Sequence, residues 1–423
     1  MASFPYYTEP THDTGNALTG VPINGVSARG TGVSASEGRL IVDAQDKIFL
    51  LEPNKHPLVT LLTNVGKVWD GKAWKGSSLM KQATGNPEFK WFEDVYGGRY
   101  ARVSGTYTVA AAQTPTVVGA GANSSYIFTI GDLVKNARTG EIALVSAVGS
   151  TTITLGTRGV GSTPAAAGVD GDGLYIVGNI NAENSGARNA NITRSTPQTN
   201  YTQIFKTTIS VSGTEKEANL YGGKDLPYLR AKKGTEHALD IERAFWWGQK
   251  STSNNATTGQ PQRATGGVLE FIEQGNAYVQ DQGGLLTAPD FNTFLREGFT
   301  YGNDVKTLFC GGVVLQAINE FARGQIRTKP LETTYGCAVS EYVTPFGKIN
   351  LVHNPLFVED YAGYAFLLDM DCFKYRYMNN RDTKLMTNVQ APDVDGEIDQ
   401  YMSEVGLQRV QAAKCSLLKG VTS

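Results

Sequence analysis

The sequence predicts an α+β fold carrying a small inserted β-barrel or sandwich, and three observations lead there. A β-textured block over residues 107–193 lies between two strand-forming runs, a long helical pattern follows residues 222–223, and the remainder alternates helix with strand. The 423 residues suffice for two or three domains, or for one large core bearing an inserted module. Hydrophobic residues make up 40% and charged residues 18%, a globular composition thin in charge, and 48 glycines announce many turns.

The elements follow in order. Residues 1–39 are rich in Gly, Ser, Thr and Pro without apolar periodicity and read as an extended arm that becomes ordered only on a partner surface. Residues 41–62 carry short apolar clusters broken by Pro53 and Pro57, which fits two short helical or extended pieces. The aromatic run Phe89-Lys-Trp-Phe-Glu-Asp-Val favours a strand, as does Gln203-Ile-Phe-Lys-Thr-Thr-Ile-Ser-Val-Ser far downstream, and the two are expected to pair. Between them, Tyr126-Ile-Phe-Thr-Ile, Ile142-Ala-Leu-Val-Ser, Thr152-Ile-Thr-Leu and Leu174-Tyr-Ile-Val read as short strands with Gly and Thr turns, at the tip of a long hairpin.

A helix is expected from Asp225, its cap, with Pro227 in the first turn, to about Gln249. Leu226, Leu229, Leu239, Ile241, Phe245 and Trp246 supply its buried stripe, and residues 251–259 a loop after it. Then come a helix over 289–298 capped at Thr287, a strand from Val305, a helix over 313–323, strands from Lys348 and Tyr364, an aromatic run over 373–377 and a closing strand near Val410.

Composition and motifs exclude several functions. Lys and Arg number 38 against 40 Asp and Glu, so a net charge of -2 gives no global attraction to nucleic acid or anionic membranes. Cys310, Cys337, Cys372 and Cys415 show no CxxC spacing and read as reduced, packed thiols. The first fifteen residues lack the basic and apolar stretches of a secretory signal, and no apolar run approaches the roughly 18 residues of a membrane span, so a soluble, non-exported protein is expected. Without such a route, Asn123-Ser-Ser and Asn191-Ile-Thr have no meaning as glycosylation acceptors.

Catalytic patterns are incomplete. Gly156-Thr-Arg-Gly-Val-Gly-Ser-Thr has the glycines and hydroxyls of a phosphate loop but lacks its Lys and a following helix, and reads as a β turn. His12, His56, His237 and His353 are too scattered for a local triad or zinc motif. Asp393, Asp395, Glu397 and Asp399 read as a solvated acidic loop, since Gly396 has the wrong offset for a calcium loop. Trp246-Trp247 and the pair Tyr375, Tyr377 read as core or interface packing. Arg230, Lys232 and Lys233 read as the wet face of the long helix, paired with acidic neighbours. No catalytic, cofactor-binding or metal-binding residues are assigned, no cofactor is expected, and the chain is expected not to be an enzyme.

The order of these parts resembles the coat-protein fold of tailed phages, and most nearly a subfamily of major capsid proteins with an inserted β domain. The resemblance rests on Glu52-Pro-Asn-Lys-His-Pro-Leu ahead of Phe89-Lys-Trp-Phe-Glu-Asp, on Gly131-Asp-Leu-Val with Thr139-Gly-Glu and Thr157-Arg-Gly, on the returning Tyr201-Thr-Gln-Ile-Phe with Val211-Ser-Gly-Thr, and on Pro345-Phe-Gly-Lys-Ile-Asn-Leu-Val-His-Asn. It runs from about residue 51 onward. It implies an N-terminal arm over 1–88, an extended hairpin loop over 89–106 and 194–222, the inserted β domain over 107–193, a peripheral domain with a spine helix over 223–288, and an axial domain over 289–423 that returns to the peripheral one.

The same resemblance implies self-assembly through hexamers and pentamers into an icosahedral shell around double-stranded DNA. Its further partners are a portal protein at one vertex, scaffolding and decoration proteins, and the packaged DNA, contacted non-specifically; no membrane is involved. The protein would reside in the virion after assembly in the host bacterial cytoplasm. Two other readings remain open from the residues: a different phage structural protein, such as a tail component or β-rich adhesin, and a carbohydrate-active enzyme with two carboxylates in a pocket.

Overall fold

Period-two patterning sets the scaffold of the body. The computed structural model describes residues 56–63, 67–69, 74–76, 80–118, 124–190, 193–218, 225–322 and 339–422, so the arm expected over 1–39 lies outside the described residues. The 14-residue strand Gly396–Arg409 receives Gln203–Ser212 along one side, antiparallel, from Gln203↔Val405 to Ser212↔Gly396. Phe373–Met378 and Lys384–Met386 pair with its other side, and Lys81–Thr84 completes this five-stranded sheet by pairing parallel with Phe373–Met378.

The helices are α1 (Pro57–Thr63), α2 (Gly213–Glu217), α3 (Asp225–Trp247), α4 (Val268–Gln274), α5 (Ala288–Gly298) and α6 (Gly312–Ala322). The spacing that predicts a long helix is realised in α3, which buries Leu239, Ile241, Phe245 and Trp246. Leu226 and Leu229 are only half-buried. Trp246 packs against Phe309, Phe357 and Phe366, at ring centroid distances of 5.1, 4.9 and 5.0 Å, and Trp247 stacks on Tyr361 at 4.0 Å. Tyr375 is buried edge-on to Phe245. Trp246, Phe245 and Tyr375 are core, as their helical and strand periodicities imply, while Trp247 packs half-buried at the core's margin. In α5 the Thr287 side chain accepts from the Asp290 backbone N–H, and Pro289 stands where an N–H would have no intrahelical partner.

A second, six-stranded sheet runs in the order Tyr278–Leu285, Ser416–Thr422, Ala365–Leu368, Val305–Cys310, Lys348–His353, Val339–Val343. Its cover comes from α5 and α6, whose Phe291, Phe294, Leu295, Val314 and Ile318 join Leu308, Cys310, Ile349, Leu351, Leu367 and Leu418 in one cluster. Three strands of this sheet escape the sequence reading, Val339–Val343 among them. Tyr278–Leu285 is diluted by Gln, Asp and Gly, and Ser416–Thr422 is the true closing strand, the element near Val410 being the end of Gly396–Arg409. The expected loop after α3 contains strand Ser251–Asn254, paired with Pro261–Ala264 through backbone hydrogen bonds alone, since its side chains are exposed.

The hairpin is corrected as well. Glu88–Glu93 pairs with Thr196–Tyr201, from Glu88↔Tyr201 to Glu93↔Thr196, and not with the Gln203 run. At Thr202 the chain changes partners: its N–H donates to the Pro87 carbonyl, and the ten residues Gln203–Ser212 that follow pair with the long strand.

Past this stem lies a six-stranded antiparallel sheet in the order Thr116–Val118, Tyr100–Ser104, Gly173–Asn179, Asp132–Asn136, Ile142–Val148, Ile153–Thr157. It closes on itself. The last strand bridges back to the first through Gln113↔Leu155 and Thr116↔Thr152, with Leu155 N–H on Gln113 O at 2.8 Å and Val117 N–H on Thr151 O at 2.9 Å. Inward residues Ala101, Val103, Val117, Phe128, Val134, Val145, Ile153, Leu155 and Leu174 form a core of their own. Tyr100–Ser104, read from sequence as part of the hairpin, is a barrel strand, and the Tyr126 run is a 3-10 turn, Ser124–Ile127.

One contact ties the start of the described chain to α3. Glu242, fully buried, accepts from the Leu58 N–H at 3.0 Å, the Val59 N–H at 2.7 Å and the Trp246 indole N–H at 2.8 Å, so its carboxyl caps the N-terminus of α1. Burial pushes this carboxyl up to about 7 from its ordinary 4.5. The folded state therefore holds the proton more tightly than the unfolded chain. The resulting stabilisation is complete below 4.5 and is lost as pH rises through about 7. Relative to Glu242→Gln, the wild type is expected to lose melting temperature between about pH 5 and pH 8, a difference checked by scanning calorimetry across that range.

Candidate functional site

The stem is rigid at its base. Phe89 and Trp91 alternate inward and are buried. Opposite them Asn200, fully buried, donates through Nδ2 to Leu407 O at 2.6 Å, Gly266 O at 3.1 Å and Thr265 Oγ1 at 3.3 Å, while its Oδ1 accepts from the Gly266 N–H at 2.9 Å and the Tyr201 N–H at 2.9 Å. One side chain thus joins the stem, the loop before α4 and the long strand. Gly406 allows the approach: a Cβ there would stand 2.5 Å from Tyr201 O and 2.9 Å from the Phe89 ring. Glu93 accepts from the Trp91 indole at 2.8 Å and the Gln411 N–H at 3.0 Å, and the Lys250 ammonium bonds Thr199 while lying 5.4 Å from the Tyr201 ring.

Beyond this base the protrusion exposes apolar side chains. Phe92 is 72% exposed, Val95 64%, and Tyr96 fully. On the barrel wall Tyr100 and Tyr175 are cross-strand partners with rings stacked at 5.4 Å, near exposed Val118, Val177 and Ile180. A cleft of about 400 Å³ is lined there by Tyr100, Arg102, Ser104, Val118 and Asp170. Scattered apolar residues on a surface are ordinary, but such a concentration on one protruding feature marks an interaction surface.

The barrel interior is braced by ion pairs. Arg158 and Glu141 are both buried and paired at 2.5 and 2.7 Å, and the guanidinium also donates to the carbonyls of Thr108 and Ala166. The run that resembles a phosphate loop therefore turns its cation inward, with Gly159 and Gly161 at positive φ making the turn. The Asp172 carboxylate is held down to about 2, first by the Arg138 guanidinium at 2.6 Å and then by Asn136. Gly168 faces the Tyr107 ring so closely that a Cβ would overlap it.

The other singled-out residues are dispersed. His12 and Cys337 lie outside the described residues; His56 is half-buried at the start of α1. His237 meets Thr207 Oγ1 at 2.9 Å and Ser403 Oγ at 2.7 Å, in a buried cluster that Ser403 extends to Thr383 at 2.8 Å. Burial lowers the His237 basicity. The acidic loop expected over 393–399 is in part a strand: Asp399 is fully buried and paired with Arg230 at 2.6 Å, and Glu397 binds Arg230 and Lys216. Arg230 is thus paired, as is Lys233 with Glu236 at 2.5 Å. Among the described residues no group of three or more His, Cys, Asp or Glu gathers at metal-binding distance, and no helix is long and apolar enough to cross a membrane.

Sequence reasoning missed Asn200 and Gly406, the two residues that seat the stem. A polar residue amid Thr and Tyr carries no local signal, because its partners are 65 to 207 positions away. Asn200→Ala would leave Gly266 and Leu407 groups buried without partners, at about 1–3 kcal/mol each. The expected loss is about 3 kcal/mol in denaturant unfolding, with Asn200→Asp only partly restoring it.

A family model described as SU10 major capsid protein matches residues 19–422 of the chain. No curated protein matches. Among solved structures, the chain is similar to the capsid of Cyanophage P-SCSP1u, at 10% identity and a TM-score of 0.39 over 58% of this chain and 80% of that one. It is similar to the capsid of Myoviridae phage XM1, at 10% identity and a TM-score of 0.39 over 57% and 81%. It is also similar to the SrpI encapsulin of Synechococcus elongatus PCC 7942, at 11% identity and a TM-score of 0.40 over 54% and 78%.

Proposed function

Because the chain belongs to the SU10 major capsid protein family, we propose that its copies associate as hexamers and pentamers and close into an icosahedral shell around the double-stranded DNA of a tailed phage. It is a major capsid protein, a structural component of the virion built from copies of itself. The observation that carries the finer reading is the stem: anchored at its base through Asn200, it holds Phe92, Val95 and Tyr96 exposed, with none of the described residues covering them. Such residues gain their burial on another subunit, and many modest contacts in a closed shell add up.

In this reading the stem overlaps the next subunit, whereas α1 and Lys81–Thr84, expected from the sequence to belong to an arm over 1–88, pack within the subunit's own body. The barrel is a module inserted between the stem strands, α3 is the spine of a peripheral domain, and residues 289–423 form the axial domain and return to the peripheral one. The portal protein, scaffolding and decoration proteins, and DNA bound non-specifically are its partners, and assembly takes place in the host bacterial cytoplasm. The protein acts by association and not by catalysis. The shielding of the Ser403–His237 contact from solvent supports that reading.

Negative-stain microscopy of the expressed chain tests the proposal. Hollow round particles, or hexamers and pentamers, are expected; soluble monomers would overturn it, and discrete trimers or tubes would favour a tail component. Excision of residues 95–194, joining Asp94 to Ser195 by a short turn, is expected to leave a body that melts cooperatively, because Glu93 and Thr196 already pair across the junction. Circular dichroism melting reads this directly.

A further inference from the structure

The chain crosses between the two body sheets twice at one place. Going out, Ala365–Leu368 of the six-stranded sheet leads through the 3-10 turn Met370–Cys372 into Phe373–Met378 of the five-stranded sheet. Coming back, Gly396–Arg409 leads through the 3-10 turn Ala412–Lys414 into Ser416–Thr422. The two passages are antiparallel neighbours throughout: Phe373 pairs with Arg409 in one sheet, Leu367 with Ser416 in the other, and the Val410 N–H donates to Cys372 O at 2.9 Å between them. Cys372 ends the first turn and Cys415 directly follows the second. Cys372 and Cys415 are 3% and 0% exposed and belong to the same apolar cluster.

The pairings that flank them, Leu367 with Ser416 and the Val410 N–H with Cys372 O, bring the two cysteines together between the sheets. Beside them the fully buried Lys306 ammonium donates to the carbonyls of Lys414 at 2.6 Å, Gly298 at 2.6 Å and Tyr301 at 2.7 Å, which fixes a cation next to Cys415. The Cys372 thiol, then the Asp369 N–H and the Lys306 charge, ease ionisation of Cys415 against its burial, while Cys372 is pushed up in turn by Cys415. Cys310 is the contrast: its thiol faces the Val352 carbonyl at 3.7 Å, and burial pushes it up to about 12.

We infer that Cys372 and Cys415 are an oxidative modification site, a buried dithiol that hydrogen peroxide converts into a disulfide fastening together the two passages between the sheets. The Cys415 thiolate attacks one peroxide oxygen, the O–O bond breaks, and hydroxide leaves to be neutralised by the proton that Cys415 had released. The Cys372 sulfur then displaces the hydroxyl of the Cys415 sulfenic acid, the S–S bond forms, and the Cys372 proton departs with that hydroxyl as water. Two thiols and one peroxide give one disulfide and two waters. Peroxide is small enough to reach the pair by local opening, which a bulky disulfide oxidant is not. The closed loop restricts the unfolded chain, so the oxidised protein is the more stable form.

The purified full-length chain is treated with dilute hydrogen peroxide, unfolded in excess alkylating reagent, digested and analysed by mass spectrometry. The expected result is a peptide pair linking Cys372 to Cys415, with Cys310 alkylated only on unfolding. A rise in melting temperature of about 3–5 °C, reversed by dithiothreitol and absent from Cys372→Ser and Cys415→Ser, should accompany it. Full alkylation of both cysteines after peroxide, or separate sulfinic acids at each without a link, would overturn the inference, and neither readout depends on a variant that folds.

Discussion

The strand Gly396–Arg409 is the member against which the rest of the body is positioned. Its backbone is engaged on both sides, by Gln203–Ser212 along one and by Phe373–Met378 and Lys384–Met386 along the other. Its side chains carry the long-range polar contacts: Asp399 and Glu397 to Arg230 of α3, Ser403 to His237, Glu404 to Thr202 and Arg381, and Arg409 to Glu270 of α4. Because side chains alternate across a strand, a slip of one residue would turn every one of these groups to the wrong face. Buried charges tolerate no such slip, since losing a partner costs far more than the pair contributes. The register of one strand therefore sets where α3, α4 and the stem stand.

From that fixed register the stem acquires its character. Asn200 reaches the Leu407 carbonyl and Gly406 admits the Tyr201 backbone, so the base of the ribbon is bolted to the strand while its far half exposes Phe92, Val95 and Tyr96. A floppy ribbon would lose conformational entropy on docking; one held at its base loses less, and its exposed aromatics contribute more of their burial to association. Rigidity at the base and exposure beyond it are two parts of one device. The family to which the chain belongs builds shells, and this device suits a subunit whose contacts must be made many times over.

What was legible in the sequence tracks the range of the interactions. Helix α3, α5 with its Thr287 cap, α6 and the strands beginning at Val305, Lys348 and Ala365 declare themselves because periodicity and capping are local. The partner of Glu88–Glu93 did not, because Thr196–Tyr201 is nearly all polar or exposed while the more apolar Gln203 run looked the better mate. The apolarity of that run serves α3 and the body sheet instead. Likewise Asp399 read as solvated, since nothing near it in sequence shows that Arg230, 169 positions away, would cover it. Glu242, His237 and Lys306 are polar residues in otherwise apolar settings, and only their distant carbonyl, amide and hydroxyl partners explain them.

The barrel has a core that shares no residue with the two cores of the body, and it is reached through just two stretches of chain, 94–99 and 180–195. A substitution that loosens Val145 or Leu155 is thus felt within the barrel and not by the register of Gly396–Arg409. Such an appendage can be altered, or traded for another, without disturbing the strand register on which the frame of a container depends.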